Sequence, residues 1–223
     1  MAQTWSNLLF AHWPLPVEAM RRLVPSRLDI DTFDGQAWIG VVPFQMSNVR
    51  PRWLPPLPQL SYFPEMNVRT YVLHEGKPGV WFFSLDAGNP IAVAAARLTL
   101  SLPYYHARMA CLRSGVVVRY ASTRTHGGAP PAAFRGDYWP TAPVFHASQG
   151  SLEEFLTRRE RLFSLRSGGS VLCAEIDHVD WPLQPAAWEP RQNTLAAPLG
   201  LSLDGPPHLL FADRLTVHVW PPW

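Results

Sequence analysis

Phe63-Pro64-Glu65-Met66-Asn67-Val68-Arg69-Thr70-Tyr71-Val72-Leu73 is the stretch whose reading decides the fold. After Pro64 its residues alternate with the period of two that only an extended strand explains, because successive side chains in a strand point to opposite faces. Glu65, Asn67, Arg69 and Tyr71 share one face, and Met66, Val68, Thr70 and Val72 the other. The second face is apolar enough to pack on a core. Along the first, an acid, an amide, a guanidinium and a phenol recur at steps of roughly 6.6 Å, so Glu65 and Arg69 stand about 13 Å apart at their Cα atoms. That is too far for a tight ion pair and well suited to gripping a small anion between them. The residues leave two uses open: the solvated side of an antiparallel strand, or the wall of a binding site.

Working outward, the chain reads as strands punctuated by proline. Gly76-Lys77-Pro78-Gly79 closes a hairpin into Val80 to Ala87, a run apolar on both faces and so expected to be buried. Upstream, Leu28 to Phe33 alternates like a strand, Asp34-Gly35 supplies a turn, and Ala37 to Val49 resumes as a long strand with Pro43 as a local break. Arg50 to Pro58 is a proline-stiffened connection into the central strand. Before these, Pro16 to Leu23 has the spacing of a short helix, with Val17, Met20, Leu23 and Val24 on its inner face and Arg21 and Arg22 outward. Downstream, Asn89-Pro90 is a helix start, followed by the alanine-rich Ile91 to Arg97. Leu98, Leu100 and Leu102 alternate with Thr99 and Ser101, so the second half could be extended, and Pro103 ends it. Met109 to Leu112 and Val116 to Ser122 form a hairpin about Ser114-Gly115. His126 to Arg135 is the one candidate for a flexible loop. Ser151 with Glu154 makes a capping box for a short helix. Arg161 to Leu165 and Ser170 to His178 pair about Gly168-Gly169, and Leu209 to Trp220 is a last strand. This gives about ten strands and three short helices in a single domain spanning 1–223.

Composition excludes several function classes. The net charge of +2 is spread along the chain, which offers nothing to nucleic acid. No apolar run is long enough to span a membrane, and the first residues lack a secretory pattern, so the expected location is the cytoplasm. Cys111 and Cys173 are far apart and without a CxxC neighbour, as buried thiols are. Lysine occurs once, Lys77, against eighteen arginines, and at the tip of a hairpin it is placed to be solvated rather than to serve as an amine nucleophile. No GxSxG, P-loop, dinucleotide or HExxH motif is present, and nothing calls for a cofactor. Asp177-His178-Val179-Asp180 brings ligand types together, but in a strand Asp177 and His178 point oppositely, so no metal is expected. The polar groups that remain are Glu65, Asn67, Arg69, Arg97, Tyr104, Tyr105 and His106.

Phe10 to Pro14, Leu28 to Phe44, Phe63 to Val72, Gly79 to Ala87, Gly150 to Thr157 and His178 to Gln184 resemble the bacterial YqjF-like family, over nearly the whole chain. That family resembles acetoacetate decarboxylase more remotely, chiefly around Ile91 to Tyr105. The resemblance implies a mainly β (α+β) fold, a barrel or cone-shaped antiparallel sheet enclosing the site. The decarboxylase carries two lysines after the proline, one of which forms its Schiff base. Here Tyr104 and Tyr105 stand in their place, so the resemblance implies a kept pocket and a lost decarboxylase reaction. A pocket acid is matched by Glu65, and a second falls near Gly40 and is absent. On this reading Glu65, Tyr104 and Tyr105 are the catalytic candidates, and Asn67, Arg69, Arg97 and His106 the ligand-binding ones. The ligand would be a small organic acid or carbonyl compound, and the reaction, if there is one, that of a lyase or tautomerase working by proton transfer. A non-catalytic sensor or carrier, a protein-interaction domain and a homo-oligomer stay open.

Overall fold

The computed structural model describes residues 1–50, 55–56, 61–166 and 168–220, and only the backbone of Thr99 and Leu100. Most of the Arg50–Pro58 connection lies outside the described residues. The described residues form twelve strands: β1 Ala2–Leu15, β2 Asp29–Ile30, β3 Ala37–Arg50, β4 Phe63–His74, β5 Lys77–Ala87, β6 Tyr104–Ser114, β7 Val117–Arg124, β8 Ala133–Pro140, β9 Arg161–Leu165, β10 Val171–Asp177, β11 Leu183–Asn193 and β12 His208–Val219. Three α-helices accompany them: α1 Val17–Arg21, α2 Pro90–Leu100 and α3 Leu152–Thr157. The fold is mainly β, as expected.

The sheet closes on itself twice. β12, β1, β3, β4, β5, β9 and β10 form a ring of seven, because β5 pairs with β9 at Val80 and Trp81 and β10 returns to β12 at Ile176 and Asp177. The far half of β5 pairs instead with β6, at Leu85 to Ala87, and β6, β7, β8 and β11 lead back to β12, which closes a ring of nine. Five strands (β12, β1, β3, β4 and β5) belong to both rings. Each therefore has an apolar requirement on both faces. In β4, Met66, Val68 and Val72 pack into one core with Leu9, Ala11, Val41, Tyr120 and Phe134. The second core, inside the ring of seven, holds Leu8, Phe10, Val42, Phe44, Met46, Phe63 and Trp181.

Three strands were not expected from the sequence pattern. β1 lies at the centre of the sheet, paired along its length with β12 and β3. Its residues 8–13 are all buried, so no alternation marks them. Asn7, at φ 55°, sits where the β1–β3 register shifts between Ser6 and Ala11. This bulge turns Trp5 and Phe10, five residues apart, toward the same interior. Pro43 lies opposite the irregularity and does not break β3, because an N–H is dispensable where the ladder is already interrupted. β8 takes up Ala133 to Arg135 from the expected loop, and β11 pairs with it antiparallel.

Other boundaries differ by their turns. Glu75 and Gly76, both at positive φ, form the two-residue β4–β5 turn, so Lys77 already belongs to β5. Only Asp29–Ile30 of the expected Leu28–Phe33 strand pairs with β4. Arg21 does not project into solvent: it folds back to donate to the carbonyls of Val24, Pro25 and Leu28. α2 is helical as far as Leu100, capped by the Asn89 side chain, which accepts from the Ile91 and Ala92 amides. At the start of α3 the Ser151 hydroxyl accepts from the Glu154 amide, while Glu154 accepts from Gly150 N at 2.6 Å. Among the described residues no helix is long and apolar enough to cross a membrane.

Candidate functional site

The ring of seven is not filled. A cavity of about 270 Å³ runs through it, walled by inward-facing residues of its strands and closed over at one end by α2. Its polar wall is the face of β4 that the sequence singles out. Glu65, Asn67 and Arg69 line the cavity, and Tyr71 lies beyond them on the same face. None of the four is solvated: their exposures are 4, 6, 9 and 0 %.

Glu65 is the group most altered by this setting. Burial in an apolar ring disfavours its charge and raises its carboxyl from the usual range to about 8, only partly offset by the Tyr104 hydroxyl, which donates to both carboxyl oxygens at 3.2 Å. Tyr104 comes from the first residue of β6, where the parallel β5–β6 pairing sets it beside Leu85. Its phenol is raised well above the ordinary value by burial and by the adjoining Glu65. The backbone of Glu65 is fixed from the opposite side, through its carbonyl, by the buried Tyr120 hydroxyl at 2.8 Å.

Arg69 carries a charge into the same cavity. Its Nη2 donates to the Leu156 carbonyl of α3 at 3.1 Å, and its guanidinium lies 5.6 Å from the Phe10 ring centre. Among the described residues no carboxylate pairs with it, and its Nε is buried without a partner. The neighbouring arginines of the cavity wall are neutralised: Arg159 by Asp31 at 2.5 Å, Arg161 by Glu175 at 3.1 Å. Asn67, between Glu65 and Arg69, has a buried amide oxygen with no partner.

Behind Arg69 stands His12. Its Nε2 lies 2.7 Å from the Tyr71 hydroxyl, which itself donates to the Leu156 carbonyl at 2.8 Å, so Nε2 carries the proton and Nδ1 is bare. Burial, and then the charge of Arg69, hold this imidazole neutral, well below its ordinary pKa. Gly40 makes the arrangement possible. It sits between His12 and Arg69 in the strand register, and a Cβ there would meet the His12 ring at 2.8 Å. The position where the remote resemblance expects a second acid is thus one where even alanine collides.

The structure brings Glu65, Asn67, Arg69 and Tyr104 together and leaves Arg97, Tyr105 and His106 outside the cavity. Arg97 is exposed on α2 and donates to the Tyr104 carbonyl at 2.7 Å. Asp86 on β5 is held by Arg124, at 2.7 and 2.9 Å, in a buried ion pair, and the Arg124 guanidinium lies 4.2 Å from the Tyr105 ring centre. Tyr105 points away from Tyr104 because adjacent strand residues face opposite sides. His106, near the start of β6, has its Nδ1 3.2 Å from the hydroxyl of Thr125, just past the end of β7. Sequence reasoning missed the aromatic wall, Trp5, Phe10, Phe44, Phe82 and Trp181, since nothing local distinguishes a cavity-lining aromatic from a core one. Of the ligand types in Asp177 to Asp180, only His178 lines the cavity, with Nδ1 2.7 Å from the Val179 carbonyl. Among the described residues no group of three metal-ligating side chains converges. Cys173 is buried, Cys111 half-buried, and both are free thiols.

Residues 2–216 match the DUF2071 family of uncharacterised conserved proteins. The chain belongs to that family. A DUF2071 relative, the uncharacterised protein YqjF of Bacillus subtilis (strain 168), is 42 % identical over 222 residues, covering 99 % of this chain and 90 % of its own. Solved structures extend the likeness to fold alone. The enduracididine biosynthesis enzyme MppR, complexed with pyruvate, superposes with a TM-score of 0.68 at 10 % identity, covering all of this chain and 89 % of its own. Acetoacetate decarboxylase from Legionella pneumophila gives 0.65 at 10 % identity, with 100 and 88 % covered, and an acetoacetate decarboxylase-like enzyme from Sphingomonas wittichii RW1 gives 0.65 at 15 %, with 99 and 91 % covered. This DUF2071 chain therefore has an acetoacetate decarboxylase-like fold. Its single lysine, Lys77, is exposed on the β4–β5 hairpin and is not among the residues lining the cavity.

Proposed function

We propose that this is a cytoplasmic, single-domain protein that binds a small organic acid or carbonyl compound in the ring cavity and moves a proton at carbon beside its carbonyl group, without an imine. One observation carries the reading. Among the described residues, a buried guanidinium without a carboxylate partner and a buried carboxyl raised to about 8 line the same cavity. Arg69 takes the ligand's carboxylate, because a desolvated cation favours an anion strongly. The Asn67 amide meets an oxygen of the ligand between the two charged ends. Glu65, with a pKa near working pH, accepts and returns the proton, and the Tyr104 hydroxyl donates to the oxygen on which negative charge develops. The pyruvate held by MppR, a protein of this fold, is a ligand of the same class.

The test is a melting-temperature screen of small oxo acids, hydroxy acids and aldehydes on wild type and on Arg69→Ala. A ligand present at about a hundred times its Kd adds roughly 2.7 kcal/mol of stability to wild type. The variant is expected to show no such gain. Stabilisation of both proteins alike, or of neither by any acid, overturns the reading. A carrier with the same cavity is separated from an enzyme by Glu65→Gln: exchange of the ligand's carbon-bound hydrogen with deuterated water, followed by NMR, stops in the variant while binding persists only if Glu65 acts as base.

A further inference from the structure

Resting on that reading, we infer that the acid this cavity takes carries a straight apolar chain that runs from Glu65 to the far end beneath α2. The strand register lays the cavity out in order. Along β4 the inward residues run Arg69, Asn67, Glu65, Phe63, a path of about 20 Å between Cα atoms. Gly40 stands beside Arg69, Phe44 beside Glu65, and Met46 beside Phe63, with Trp5 next to Met46. Past Glu65 the wall is thus Phe44, Phe63, Met46 and Trp5, roofed by Ala92 and Ala96 of α2. Two polar groups at this end each have a partner within the protein: Gln3 Oε1 accepts from Trp5 Nε1 at 2.8 Å, and the amino group of Met1 donates to the Val219 carbonyl.

Volume points the same way. The cavity of about 270 Å³ is well above the roughly 150 Å³ of an apolar cavity that takes a benzene ring, and more than a three-carbon acid fills. The polar strip of β4 gives an acid head its partners at the Arg69–Glu65 end. Among the described residues the other end is walled mainly by apolar side chains, and an apolar void of that kind takes an apolar group rather than water. Ala92, Ala95 and Ala96 of α2 leave that space open where larger side chains would close it. The ligand class is accordingly a monocarboxylate with an oxo or hydroxy group near the head and an extended hydrocarbon tail.

The experiment measures Kd for straight-chain 2-oxo acids of increasing length, by calorimetry, on wild type, Ala96→Phe and Arg69→Ala. In wild type affinity is expected to rise about fourfold per methylene until the tail reaches the cavity end. In Ala96→Phe the longest acids lose at least tenfold while the shortest binds as in wild type. Arg69→Ala weakens every member together. Binding of the shortest acid with no gain on lengthening, or a chain-length gain indifferent to Ala96→Phe, overturns the tail while leaving the acid-binding site in place. Failure of every acid to bind removes both.

Discussion

At the scale of single residues, the molecule is decided by what happens to charge inside a ring of strands. Glu65 is held protonated at neutral pH because the folded state buries it, whereas the unfolded chain releases the same proton near pH 4.5. The folded state therefore holds the extra proton between about 4.5 and 8, and stability attributable to this group falls as pH rises through that window and is lowest above it. Glu65→Gln is expected to raise the melting temperature relative to wild type at pH 8 to 9 and to leave it unchanged below pH 4.5, provided the amide keeps the Tyr104 bond. Melting curves of both proteins across that range check it, and equal pH profiles would place the carboxylate in contact with water. His12 works in the opposite direction. It is neutral in the fold, so acidification below its ordinary pKa of 6.5 favours the unfolded chain. Its role was not legible locally, since a lone histidine in Phe10 to Trp13 carries no pattern, and Gly40 looked like a missing acid rather than the space an imidazole needs.

At the scale of elements, β4 and α2 divide the site between them. The alternation of β4 was plain in the sequence, but the same polar face fits water outside a sheet or a ligand inside a ring, and only closure through β5, β9, β10 and β12 makes it interior. α2 was legible through its cap and its proline. It bridges the parallel strands β5 and β6, and its inner alanines roof the cavity while Ile91 and Leu98 stand exposed. A helix held over a void by few large side chains depends on its ends. Asn89→Ala is expected to lower stability by about 1 kcal/mol in urea unfolding, through the two amide bonds lost at the cap. Amide hydrogen exchange should quicken first in Ile91 and Ala92. A variant as stable as wild type would show that packing on β6, not the cap, holds α2 in place.

At the scale of the whole molecule, five shared strands make the two rings interdependent. Neither core can open without unpairing β12, β1, β3, β4 and β5, each of which contributes side chains to both cores. Unfolding is therefore expected to be a single transition, with tryptophan fluorescence, far-ultraviolet dichroism and ligand binding lost at one midpoint. Separate midpoints would mean that one ring survives the other. The sequence by itself determined the strand-rich class, the cap of α2, the two faces of β4, and the absence of any lysine beside Tyr104, because each is fixed by local period, local caps or composition. The tertiary structure alone decided that β1 is central, that Tyr104 meets Glu65 while Tyr105 lies against Arg124, and that Arg69 has no carboxylate partner among the described residues. Those outcomes depend on strand pairings between residues tens to hundreds of positions apart, and a strand buried on both faces carries no alternation by which its sequence could announce them.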